Sequence, residues 1–113
     1  MLDTPENKEF VARFKSKYKI SPGIFEETGY SALRCLDEAL KPIGGKIEDA
    51  EAFSKAMLKV NFVAPRGPIS FDPDTHQAIQ NIYIRRAKEA NGEIVNEVID
   101  VVKQMGDAPS NRA

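Results

Sequence analysis

Few side chains in this sequence are of the kinds that do chemistry, and their spacing limits what they can do. The single histidine, His76, stands in Asp72-Pro73-Asp74-Thr75-His76, where two carboxylates and an imidazole alternate. Alternating donors hint at a cation, but a zinc site takes three or four ligands. Pro73 and the short spacing are ordinary turn chemistry, so a solvated turn without metal is the expectation. The single cysteine, Cys35, lies on a helical pattern among apolar residues and reads as a small buried hydrophobe. Nothing near His76 supplies the nucleophile of a nucleophile–base pair. Neither a GxGxxG nor a GxxxxGK string occurs, so no phosphate cradle is indicated. These residues point away from an enzyme and call for no cofactor.

Two sets of charged residues remain. Glu26 and Glu27 follow Phe25 at the opening of a helical stretch. Carboxylates there gain from the helix dipole, which accounts for them without a function. The functional alternative is that one of them faces a ligand cleft. Arg66 stands between Pro65 and Gly67-Pro68. It belongs either to a rigid surface loop or to a site that offers a guanidinium to a carboxylate.

The elements that must position these residues follow from capping and periodicity. Thr4-Pro5 reads as an N-cap with proline at the first helical position. Phe10, Val11, Phe14 and Tyr18 then share a stripe, which gives a helix over 5–18. A second helix runs over about 25–41, with Tyr30, Leu33, Leu36, Ala39 and Leu40 as its apolar face, and ends at Pro42 and Gly44-Gly45. A third runs over about 48–59, buried through Phe53, Ala56, Met57 and Val60. Ala64 to Pro68 reads as a loop, since two prolines and a glycine in five residues suit no regular element. Ile69 and Phe71 alternate with polar residues as in a short strand. The 77–87 stretch is rich in β-branched residues and reads as a strand. Asn91-Gly92 is a type I′ hairpin signal. Glu93 to Val102 is apolar on both faces and should be covered on both sides in an intact fold. The expected class is therefore a segregated α+β arrangement, three helices followed by short strands that end in an antiparallel hairpin.

Bulk composition removes other classes. With 16 basic and 17 acidic residues among 113, the net charge of −1 leaves no electrostatic footprint for nucleic acid. No apolar run reaches the roughly 18 residues of a membrane span, so no direct membrane insertion is expected. Met1 to Pro5 has neither the charged start nor the apolar stretch of a signal peptide.

Several strings, in order, resemble the C-terminal portion of the type I periplasmic solute-binding proteins, the leucine/isoleucine/valine-binding family that feeds ABC importers. Asn7-Lys8-Glu9-Phe10-Val11 with Phe14-Lys15 and Tyr18 is similar to the helix preceding that family's final segment. Ser21-Pro22, then Gly29-Tyr30-Ser31-Ala32-Leu33 with Leu36 and Ala39-Leu40, looks like its "Pro … Gly-Tyr-x-Ala … Ala-Leu" helix. Pro65-Arg66-Gly67-Pro68-Ile69-Ser70-Phe71-Asp72 resembles its Gly-x-x-x-Phe-Asp strand and turn, and Asn81-Ile82-Tyr83 with Asn91-Gly92 its closing hairpin. The match runs from about Pro5 to Asp107.

The resemblance implies a part of an α/β two-lobed fold that closes on a small ligand, read by an ABC permease in the periplasm. It implies an amino acid or small carboxylate, aromatic acids included, as the ligand of the full-length parent. It also implies that the residues just before the Gly-Tyr-x-Ala helix, Phe25, Glu26 and Glu27, approach that ligand, with Glu27 first. Family members are several times longer, so 1–107 is expected to be a single partial domain and 108–113 a flexible tail. Alone, such a piece should bind ligand poorly and form homo-oligomers through its open strand edges. Two other readings are a small self-associating interaction module and a sensory ligand-binding domain of the same fold.

Overall fold

Three helices, one turn of 3-10 helix and four strands follow one another in a computed structural model that describes residues 2–106. Helix α1 spans Pro5–Tyr18, α2 Ile24–Leu40 and α3 Ala50–Leu58. Strand β1 is Phe62–Ala64, β2 Gly67–Phe71, β3 Ala78–Ala90 and β4 Glu93–Met105. The tail foreseen at 108–113 lies outside the described residues.

Capping sets where the helices begin. Thr4 Oγ1 accepts from the Asn7 amide at 3.3 Å, and Pro5 takes the first helical position, where a missing N–H costs nothing. Helix α1 closes on Lys19, left-handed at φ 62°, whose N–H donates to the Lys15 carbonyl at 2.9 Å. Helix α3 starts two residues later than the expected 48, because Asp49 is its cap and not part of its first turn. The Asp49 carboxylate accepts from the Ala52 amide at 2.9 Å, which leaves Glu48 outside.

The strands form one antiparallel meander in the order β1-β2-β3-β4. One of them escaped the sequence reading. Pro65-Arg66 alone makes the turn, and Phe62, Val63 and Ala64 pair with Ile69, Pro68 and Gly67. Prolines are tolerated at strand ends, and Gly67 at φ 106° takes a conformation that side chains resist, so a "loop" composition here encodes a tight hairpin. The 77–102 region is a long hairpin, as its β-branched content suggested, and Asn91 and Gly92 turn it at φ 53° and 80°. Register shifts near Gln80/Ile82 and Ile84/Arg85 mark two irregularities in the β3–β4 ladder. At the first, Gln104 adopts φ 52° and its amide finds the Asn81 Oδ1 at 3.1 Å.

The core lies where α2 and α3 meet β1 and β2. Cys35 and Ala39 of α2 pack with Ala56 and Val60 of the α3 end, and with Ala64 and Ile69 of the sheet. The inward face of α2 keeps Ala39 of the expected stripe but not the large Leu33 and Leu36. Its buried positions are Ser31, Cys35 and Ala39, at i, i+4 and i+8, whereas Leu33 is 69% exposed and Leu36 is also exposed. Small side chains permit a close helix–sheet approach, and a hydrophobicity pattern alone does not register that need. The double-sided cover expected for the last strand is not provided by the described residues, since Ile94, Ile99, Val102 and Met105 of β4 all remain exposed.

A side chain at Gly67 would place its Cβ 2.7 Å from the Tyr83 hydroxyl, in addition to the backbone strain. Gly67→Ala is expected to cost about 2–4 kcal/mol in urea unfolding. Gly29, inside α2 with open space around it, gives the opposite sign, and Gly29→Ala should gain about 0.5–1 kcal/mol.

Candidate ligand-facing site at the start of α2

The first turn of α2 carries the three residues singled out in the sequence, and the fold sends each in a different direction. Phe25 points away from the core and is 85% exposed. Glu26 reaches back to the helix start, where its Oε2 accepts from the Gly23 amide at 2.8 Å. This is one half of a capping box, since glycine has no side chain to return the bond. Glu27 turns inward, with its side chain only 12% exposed.

There Glu27 meets Arg66, 39 residues further along the chain. The Arg66 Nε donates to Glu27 Oε2 at 2.6 Å, and Nη2 contacts the same oxygen. Glu27 Oε1 accepts from the Ser31 hydroxyl at 2.5 Å. The other guanidinium nitrogens are also engaged. Nη2 donates to Thr28 Oγ1 at 2.6 Å, and Nη1 lies 3.4 Å from Gln80 Oε1 on β3. Thr28 in turn donates to the Ile24 carbonyl at 2.8 Å. Arg66, offered in the sequence reading either a loop role or a carboxylate partner, has a carboxylate partner within its own chain.

These groups roof a small cavity of about 150 Å³, with Cys35 and Ile69 on its apolar side. Burial raises the Cys35 thiol above its ordinary value, and the charges of Arg34 and Arg66 offset this only in part. A second hollow of about 330 Å³ lies between α1 and α2. Its wall is a run of rings, with Tyr30 4.9 Å from Phe10 and Tyr18 4.5 Å from Phe14 between centroids. The Phe10–Tyr30 contact joins α1 to α2.

The Asp72–His76 segment is the turn expected of it. Asp72 Oδ1 accepts from the amides of Asp74 and Thr75 at 2.9 and 3.0 Å, and His76 closes the turn at φ 61°. Among the described residues no group of three His, Cys, Asp or Glu side chains converges on a metal position. Thr28, Ser31 and Gln80 were missed as partners of the site. Ser31 follows Glu27 at i+4, a spacing that places both on one helix face, but nothing local in the sequence announces Gln80.

The first turn of α2 thus combines an exposed ring with a carboxylate held by its own cation. Residues 1–93 match the sequence profile described as periplasmic binding protein, and the chain belongs to that family. A Leu/Ile/Val-binding protein homolog 6 of Brucella abortus is 32% identical over 108 residues, which is 93% of this chain and 27% of that protein. The solute-binding protein of an ABC transporter from Rhodopseudomonas palustris BisB5, solved with 3,4-dihydroxybenzoic acid, is 38% identical with a TM-score of 0.87, over 96% of this chain and 30% of that one. A second R. palustris solute-binding protein, solved with benzoate, is 35% identical with a TM-score of 0.75, over 90% and 28%. The chain therefore spans under a third of the length of the relatives it matches. The two-lobed fold of which those relatives are built accounts for helices first and an antiparallel ribbon last.

A raised thiol binds its proton more tightly when folded than unfolded. Its contribution to stability is whole below about pH 9 and is lost as the pH climbs towards the raised value. Cys35→Ala should therefore lack part of the alkaline decline of the unmodified chain, measured as the difference between their urea midpoints from pH 7 to 10. At pH 7.5 the thiol should react with a disulfide reagent only as fast as the protein opens.

Proposed function

We propose that this chain forms the C-terminal part of the solute-binding component of a periplasmic ABC importer, and that it does so without catalysis. Its ligand is a small carboxylate, and an aromatic acid is favoured over a branched-chain amino acid. The observation that carries this reading is the state of the first turn of α2 in a member of this family. Phe25 offers an uncovered ring, while Glu27 is buried against Arg66 and one oxygen of Glu26 caps the helix. An α-amino acid brings an ammonium group that needs a free carboxylate or several acceptors. Glu27, with one oxygen on Arg66 and the other on Ser31, is neutralised and has little left to offer. A benzoate-like ligand asks this wall only for apolar contact, which an aromatic ring supplies. Phe25 thus touches the ligand directly, Glu27 shapes the wall behind it, and Glu26 holds the turn. The benzoates bound by two of the relatives support the choice, and the name of the Brucella relative keeps the amino-acid reading as the alternative.

Ligand capture in such a component is lobe closure, with the permease as reader. One wall alone gives up most of the contacts, so the 113-residue chain by itself should bind neither leucine nor benzoate tightly. Micromolar affinity in calorimetry would contradict this. The ligand class is tested by placing this chain in the matching segment of the 3,4-dihydroxybenzoate-binding relative. Benzoates should bind at least about tenfold tighter than leucine, and Phe25→Ala should cost about tenfold or more. Leucine binding the tighter of the two would overturn the aromatic-acid assignment.

We also infer that the chain alone self-associates. Its radius of gyration is 16.6 Å, against about 13 Å for a compact chain of this length. Ile82 and Val102 stand opposite each other on the β3–β4 ribbon, both exposed, with Ile84 and Met105 on either side. Sedimentation should show association that grows with concentration and weakens in an Ile82→Lys, Val102→Lys variant. A monomer at all concentrations would refute it.

A further inference from the structure

We propose that Arg66 is the positioning residue of the ligand-facing turn, fixing where α2 begins and hence where Phe25 stands. The proposal deepens the solute-binding reading and rests on it for what the turn faces. Nε and Nη2 hold the carboxylate of Glu27, Nη2 also donates to Thr28 Oγ1 at 2.6 Å, and Nη1 points to Gln80 on β3. One side chain from the β1–β2 turn thereby touches two successive residues of α2 and a third strand.

The Thr28 contact extends further. Its hydroxyl accepts from Arg66 and donates to the Ile24 carbonyl at 2.8 Å. That carbonyl belongs to the peptide joining Ile24 to Phe25, so two hydrogen bonds connect the guanidinium to the backbone of Phe25. No apolar contact does this work there, because Ile24 is 69% and Phe25 85% exposed. The core that holds α2 lies further along, at Cys35 and Ala39. Without Arg66 the first turn is tied only by the bond from Gly23 to Glu26 and by the helix itself. A half-buried ion pair contributes little net stability once desolvation is counted. What it supplies is direction, since a planar fork fits only one arrangement of its acceptors.

The test needs no ligand, so its failure leaves the solute-binding reading standing. Amide hydrogen exchange is measured on the full chain, and the amides of Glu27, Thr28 and Gly29 are compared with those of Ala39 and Leu40. In Arg66→Gln the first-turn amides should exchange about tenfold faster or more, while their ratio to the far end of α2 rises by the same factor. Arg66→Lys keeps the charge but loses the fork, and should raise the first-turn rates severalfold. Thr28→Val leaves the ion pair intact and cuts the link to Ile24, and should loosen the same amides. A purely structural role predicts otherwise, with slower amides across α2 accelerating together and the ratio flat or falling. That result in Arg66→Gln, or in Arg66→Lys where the glutamine variant does not fold, overturns the proposal.

Discussion

The packing of α2 on α3 and the sheet through a row of small side chains is the constraint on which the rest of the molecule depends. Ser31, Cys35 and Ala39 form the inward row, and each is small. Ala56 and Ala64 meet them from α3 and β1. Val60 and Ile69, with Phe53 and Phe71 against the cluster, supply most of the burial around this row, which itself buries little apolar area. The row sets a distance more than it supplies stability. At that distance, a guanidinium on the β1–β2 turn can reach a carboxylate on α2, and the polar tie at the helix start becomes possible. Larger residues along the row would lift the helix and take Glu27 out of the reach of Arg66.

The tie follows a familiar electrostatic logic. Glu27 is 12% and Arg66 24% exposed, so both have given up much of their hydration. Attraction between them in this half-dry setting offsets that loss without large surplus. Both oxygens of Glu27 and all three guanidinium nitrogens of Arg66 have partners nevertheless. Glu27 has Arg66 and Ser31, and Arg66 has Thr28 and Gln80 as well. A network with both of its charged members engaged tolerates few alternative geometries and holds the start of α2 in one arrangement. Neutralising Glu27 has a second effect. A carboxylate that would otherwise project negative potential across the neighbouring surface is balanced where it stands, which leaves Phe25 and the capping Glu26 on the exposed side.

Much of this was legible in the sequence where the signal is local. The Thr4-Pro5 start of α1, the Asn91-Gly92 turn and the turn at Asp72 to His76 each depend on one to five adjacent residues whose conformational preferences are strong. The boundaries of α1 were read to the residue. The failures share a cause. Which face of α2 is inward depends on how near another element can come, and the leucines at 33 and 36 misled because apolarity says nothing about distance. Residues 64–68 were read as loop because Pro65, Gly67 and Pro68 are scored by composition as breakers, while their role is to make a two-residue hairpin turn and the strand that leaves it. The partner of Glu27 lies 39 residues away and could be found only in three dimensions. The choice of Phe25, Glu26 and Glu27 came from family likeness, and the structure adds that they divide into an exposed ring, a helix cap and a buried anchor.

The ribbon of β3 and β4 places a limit on how this chain can be understood alone. Its strands are 13 residues each, far longer than the β1–β2 hairpin that the helices cover. Apolar residues emerge on both of its faces, and at Ile94 or Ile99 they have no packing within the described residues that would account for them. A strand read as fully buried in the sequence and found exposed in the fold signals surface meant for something else. In relatives more than three times as long, much more chain is available to meet such a ribbon. The two irregularities in the β3–β4 ladder twist the ribbon and break the regularity of its outer edge, which discourages strand-to-strand addition. Contact through the faces is thus favoured over contact through the edge. The tie at Arg66, by contrast, holds the start of α2 from its inner side, and Phe25 stands outward there.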